Sequence, residues 1–143
     1  MKYLFFTISL FFALNTVCIS QTYIRQGSGS YGTILYNWDG QSLRQGSSAY
    51  SEVIASWDGS NIKQGSTTIY NWDGQYLRQG SSTYNAAIVN WDGKYIRKGS
   101  SSSSQALYYW DGKNMRKGSS TYGDVLFNVD GKVPTAILMY IVE

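Results

Sequence analysis

Histidine is missing from this chain, and proline and cysteine occur once each. Without histidine the commonest general base and the commonest neutral metal ligand are gone. The one cysteine, Cys18, lies in an N-terminal apolar stretch. If that stretch is removed, the rest of the chain has no thiol nucleophile and no disulfide, and its stability must come from packing and hydrogen bonding. Charge of one sign is also scarce. Without Lys2, 11 basic residues face 9 acidic ones, a net charge near +2. That balance gives no ground for binding nucleic acid or an anionic membrane. Helix formers are sparse, whereas glycine, serine, threonine and tyrosine are abundant, a composition that points to an all-β fold.

Residues 1–20 read as a secretory signal peptide. Lys2 is followed by an apolar run from Tyr3 to Leu14, and Cys18-Ile19-Ser20 offers small residues ahead of a cut before Gln21. The competing readings are a membrane anchor, for which the run is short, and lipidation at Cys18, where Val17 is a poor preceding residue. Each reading takes the chain out of the cytoplasm, to the periplasm, the cell surface or the medium. Residues 21–143 then form one β-hairpin repeat domain.

What is abundant is repetition. Trp-Asp-Gly begins at Trp38, Trp57, Trp72, Trp91 and Trp110, and Val129 takes the tryptophan place in a sixth copy. The spacings are 19, 15, 19, 19 and 19 residues, which marks a repeat architecture. Three places before the tryptophan stands an aliphatic residue: Leu35, Ile54, Ile69, Ile88, Leu107 and Leu126. Five places after it stands another: Leu43, Ile62, Leu77, Ile96 and Met115, with Ile24 in an initial half-unit. A basic residue follows each, from Arg25 and Arg44 to Arg116, and then Gly-Ser without exception.

Each unit therefore reads as two short strands about an Asp-Gly turn. Side-chain parity favours a three-residue Trp-Asp-Gly loop with a glycine bulge, because that loop sets both aliphatic columns on one face. The same register puts the basic residue beside the aromatic two places before tryptophan (Tyr36, Tyr70 or Tyr108) as a cation–π pair. The links run Gly-Ser-x-x-Tyr, with Tyr31, Tyr50, Tyr84 and Tyr122 expected to open the next strands, and the unit from Trp57 is four residues shorter. Residues 100–104, all serine, read as a polar loop. The half-unit from Tyr23 to Gly27 is a second strand without a first, and pairing with Val125 to Asn128 would close a ring. Closure removes the free edges that isolated hairpins leave exposed. The apolar segment 136–142 reads either as a final buried strand or helix, or as a plug for the centre.

The phrase Trp-Asp-Gly-Lys-Tyr-Ile-Arg-Lys-Gly-Ser (Trp91 to Ser100), followed by the linking stretch and Tyr-Tyr-Trp-Asp-Gly, resembles the bacterial beta-flower proteins. The resemblance covers Tyr23 to about Gly131. It implies a closed, shallow barrel or ring of about six hairpin repeats, near-symmetric, with hairpin petals and an apolar inner channel. It implies no activity. Val129 and the shortened unit depart from even repetition.

As to function, the turn aspartates Asp39, Asp58, Asp73, Asp92, Asp111 and Asp130 share one setting, whereas acid–base catalysis needs carboxylates in unlike settings. No catalytic residue is assigned, and no cofactor. One aspartate per turn supplies too few oxygens for calcium, so no metal site is assigned either. The expectation is an exported, non-catalytic module that binds or builds at the cell envelope, with an apolar channel suited to a lipid-like ligand. The alternative is a glycan-binding module in which Trp38, Trp57, Trp72, Trp91 and Trp110, at the hairpin tips, stack on sugar rings. The competing reading of those tryptophans is that they cap the hairpins and pack on their neighbours.

Overall fold

The computed structural model describes residues 20–143. Cys18 and all but the last residue of the expected signal peptide lie outside the described residues. Twelve strands follow one another: β1 (Thr22–Gln26), β2 (Ile34–Trp38), β3 (Ser42–Gln45), β4 (Val53–Trp57), β5 (Asn61–Gln64), β6 (Thr67–Trp72), β7 (Tyr76–Gln79), β8 (Ala87–Trp91), β9 (Tyr95–Lys98), β10 (Ala106–Trp110), β11 (Asn114–Lys117) and β12 (Val125–Asp130). One helix, α1 (Thr135–Val142), comes last. Each strand pairs antiparallel with its neighbours in sequence, and β1 pairs with β12, so the sheet closes into a barrel of six hairpins. The half-unit is the closing strand, in the register Tyr23↔Asp130 to Gln26↔Phe127.

The turn differs from the expected three-residue loop. Asp39 Oδ1 accepts the N–H of Gln41 at 2.9 Å and of Ser42 at 2.7 Å. That side-chain bond makes an Asx turn, with Gly40 at φ 99°. Asp39 and Ser42 close the turn, so Trp38 becomes a strand residue opposite Leu43. Asp58, Asp73, Asp92 and Asp111 repeat the arrangement. The aspartate fixes the register because it takes two backbone donors that the parity argument left free.

The two aliphatic columns therefore do not face each other. The later column, Ile24, Leu43, Ile62, Leu77, Ile96 and Met115, points inward and is 0% exposed at all six positions. It pairs across the next strand with the residue two before tryptophan, as Leu43 does with Ala55 and Leu77 with Val89. The earlier column falls on β-bulges. Leu77 pairs with Val89 and Arg78 with Ala87, which leaves Ile88 as the extra residue. Leu35, Ile54, Ile69, Leu107 and Leu126 occupy the same irregularity in their strands. A bulge bends a strand and raises its twist, so six of them at one level curve the sheet enough to close.

The centre is filled by α1. Pro134 stands where another inner aliphatic residue would stand, and a proline cannot donate to a strand ladder. It serves instead as the N-cap, at φ −56°. The next residues, Ala136, Ile137, Leu138 and Met139, are all buried. Four consecutive helical side chains point in every direction around the axis, so protein surrounds α1 on all sides. Near its start, Thr135 and Leu138 share a recess with Trp110 and Gly112 at the turn end of the barrel. Near its finish, Tyr140 reaches the linker end, where its hydroxyl accepts from Gln64 Nε2 at 3.3 Å.

Candidate functional site

A meander barrel has two unlike ends: the Asp-Gly turns gather at one and the linkers at the other. At the turn end, the tryptophans share the inward face with Leu43 and its equivalents. Trp38 is 3% exposed, and Trp57, Trp72, Trp91 and Trp110 are half-buried against the core. The hairpin tips present Asp-Gly to solvent, and the indoles close the barrel floor over the start of α1. Packing takes up nearly all of the Trp38 ring and part of each of the other four, which keep some surface exposed.

The carboxylates of this end are also engaged. Beyond its two backbone bonds, each turn aspartate holds the basic residue five places on: Arg44 on Asp39, Lys63 on Asp58 at 2.7 Å, Arg78 on Asp73, Arg97 on Asp92 and Arg116 on Asp111. Arg25 reaches Asp130 across the closing seam at 3.4 Å. Burial pulls the carboxyls of Asp39, Asp73, Asp92 and Asp111 upward, but the N–H donors and the paired guanidinium hold each below its ordinary value. At Asp58 the Lys63 ammonium leads, followed by the N–H of Asn61 and of Ser60, and the carboxyl is again held down. These are structural ion pairs, five within a turn and one across the seam. The expected cation–π partner is also corrected. Arg78 lies 4.9 Å from the ring of Tyr76, and Arg97 5.1 Å from that of Tyr95. The base stacks on the residue two before it in its own strand, because alternation brings those two together on the outer face.

The linker end carries what the tryptophans do not. Tyr31, Tyr50, Tyr84 and Tyr122 are 102%, 99%, 97% and 96% exposed. None opens a strand as expected; each stands at the tip of a tight loop. The backbone N–H of Tyr50, Tyr84 and Tyr122 donates to the hydroxyl of the serine two places earlier. The residue after each tyrosine, Gly32, Ser51, Asn85 or Gly123, donates its N–H to the carbonyl three places back. From below, a buried asparagine holds three of these four loops, and Arg116 Nη1 donates to the Gly123 carbonyl at 3.0 Å in the loop of Tyr122. Asn37 Nδ2 donates to the carbonyls of Gly46 at 2.8 Å and Ser48 at 3.2 Å. Asn71 and Asn128 make the equivalent pair of bonds in the loops of Tyr84 and Tyr31, and Asn90 makes it in the linker after β9. The tyrosines are thus presented on loops of defined shape, which lowers the ordering cost of a contact.

The six linkers are not equivalent. The one after β9 has Ser103 at the tip, and the one between β5 and β6 is the shortened link, with no tip. In that gap lies a cleft of about 470 Å³, lined by Gln64, Thr68, Tyr70, Gln79 and Tyr140 among others. The rings of Tyr70 and Tyr140 stand 6.0 Å apart and tilted by 56°. Tyr70 donates to Glu143 Oε2 at 2.8 Å; burial first, and then that carboxylate, push its phenol up to about 12. Neighbouring recesses extend the cleft on both sides, one past Gln64 to Glu52 and Val53, the other past Gln79 to Asn85 and Ile88.

Sequence reasoning found the linker tyrosines but put them in strands, and it missed the cleft. The shortened link was the available signal. What it uncovers depends on α1 ending beneath it. A family model described as a 6-fold beta flower protein matches the chain over residues 6–70 and 24–138. The two stretches overlap, as a repeat allows when it is laid against itself in more than one register. No match was found among curated proteins or among solved structures.

Proposed function

The chain belongs to the 6-fold beta flower family, and on that fold we propose that it is an exported, non-catalytic binding module that meets its partner at the cell envelope through the linker end of the barrel. The observation that carries the reading is the set of four fully exposed tyrosines at the tips of hydrogen-bonded linker loops. Tyrosine supplies a large, stiff, amphipathic contact at low entropic cost, and serine, glycine and asparagine beside it supply hydrogen bonds. Four such contacts on one scaffold add avidity. The barrel centre is occupied by α1, so the linker end replaces a lipid-holding channel as the binding face. Non-catalytic action is supported by the pairing of the turn carboxylates, and export by Lys2 and the apolar run after it.

Co-sedimentation of purified protein with insoluble cell-envelope material tests the reading. The wild type is expected to pellet, and the quadruple variant Tyr31→Ala, Tyr50→Ala, Tyr84→Ala, Tyr122→Ala to stay in solution with its Tm unchanged. Equal pelleting of the two proteins would remove the linker end as the binding face. Fractionation of cells that produce the full chain tests export, and recovery in the cytoplasm with residues 1–20 intact would count against it.

A further inference from the structure

We infer that the cleft at the shortened link is a subsite for an uncharged saccharide chain, an inference that rests on the linker end being the binding face. The four residues missing between β5 and β6 open the rim at one place. The end of α1 supplies Tyr140 to the gap, and β6 supplies Tyr70. The polar groups there are neutral and mostly uncommitted. Gln64 Nε2 donates to Tyr140, whereas the Tyr140 O–H, the Thr68 hydroxyl and the Gln79 amide have no acceptor or donor partner among the described residues. Amides and hydroxyls of this kind exchange hydrogen bonds with sugar hydroxyls, which both donate and accept. The faces of the two tyrosines suit the C–H face of a pyranose ring.

The surroundings narrow the class. Among the described residues no lysine or arginine lines the cleft or its two extensions, and Glu52 and Glu143 border them. A phosphate or an acidic sugar would meet only negative charge. A peptide added as an extra strand has no edge to join, because every strand of the closed barrel is paired on both sides. A wholly apolar ligand would bury the Gln79 amide and the Thr68 hydroxyl without partners. The extensions on both sides make the site a groove instead of a pit, which fits a chain longer than one sugar. Tyr50 and Tyr84 stand on the two linkers next to the gap, where they would hold the chain as it leaves.

The test is an NMR titration of the folded 15N-labelled protein with neutral linear hexasaccharides, cellohexaose, xylohexaose and chitohexaose. Choline chloride and polygalacturonate oligomers serve as cationic and anionic probes. The expected result is saturable shifts of the Gln64 and Gln79 side-chain amides with at least one neutral hexasaccharide. Affinity should fall about tenfold in Gln79→Ala, an exposed position whose change leaves the fold intact, in line with one lost hydrogen-bonding group. A four-residue Ser-Thr-Tyr-Ser insertion after Ser66, which restores the linker length, should abolish the shifts. Ser103→Ala, on a linker not adjacent to the gap, should leave them unchanged. No shift with any neutral sugar, shifts only with choline or the anionic oligomer, or undiminished binding in Gln79→Ala and in the insertion variant would each overturn the inference. If the insertion variant still pellets with envelope material while the quadruple tyrosine variant does not, the subsite is wrong and the linker-end reading stands. If neither change affects pelleting, the linker-end reading itself is lost.

Discussion

Asn37 shows how much one side chain settles. It is fully buried, yet it touches no ligand-facing surface. Its amide donates to two carbonyls of the loop that displays Tyr50. In Asn37→Ala those carbonyls lose their donor beneath a loop that shields them from water, so urea denaturation should show a loss of about 1–3 kcal/mol. The tyrosine tip should loosen with it, visible as faster amide exchange over residues 46–52. Ser56 takes the asparagine place in the unit whose linker is shortened, where there is no loop to hold. Ser56→Ala should therefore stay within about 0.5 kcal/mol of wild type. A large loss there would show that the position serves the strand and not the loop.

Among the elements, the hairpin is set by its aspartate and the helix by its surroundings. The turn carboxyls are held below their ordinary values, so their contribution is fully present above the unfolded carboxyl pKa of about 4. It is lost as pH falls through the lower folded values. With no histidine to titrate, Tm should be flat between about pH 5 and 8. It should then drop progressively below about pH 4, and a thermal melt series in one buffer ionic strength reads this directly. A Tm that declined between pH 7 and 5 would contradict it. The helix has no side-chain cap, and neither acids in its first turn nor bases in its last support it. It stands because the barrel wraps it. Ile137, 0% exposed, should cost about 2–5 kcal/mol when replaced by alanine, the range for a cavity in a packed core.

At the scale of the whole molecule, stability depends on closure. β1 lies next to β2 in sequence but joins β12 across the length of the described chain. In an open sheet β1 and β12 would be edges, quick to exchange and ready to pair with other chains. In the closed barrel their amides should exchange as slowly as those of β6 and β7 in a hydrogen-exchange experiment. Faster exchange confined to β1 and β12 would mean that the ring opens. Closure also explains why departures from even repetition are tolerated. Val129 in the tryptophan place and the shortened link each change one sector and leave the ladder continuous.

The sequence by itself determined a repeat of about six units, the hairpin in each, the sealing role of the half-unit Tyr23 to Gly27 and the lack of histidine chemistry. These follow from short-range spacing, which one chain displays in full. It did not determine the register, because parity weighed two aliphatic columns and left out the bonds that each aspartate takes from the residues two and three places on. Nor did it separate the core from the display surface. Tryptophan and tyrosine are both aromatic, and only the inward turn of Trp38 and the outward loops of Tyr31 and Tyr84 assign them. The cleft was decided last, by tertiary structure alone. It needs a four-residue gap in one linker and the end of a helix that begins at Thr135 to meet at the same point, and long-range packing of that kind leaves no local pattern to read.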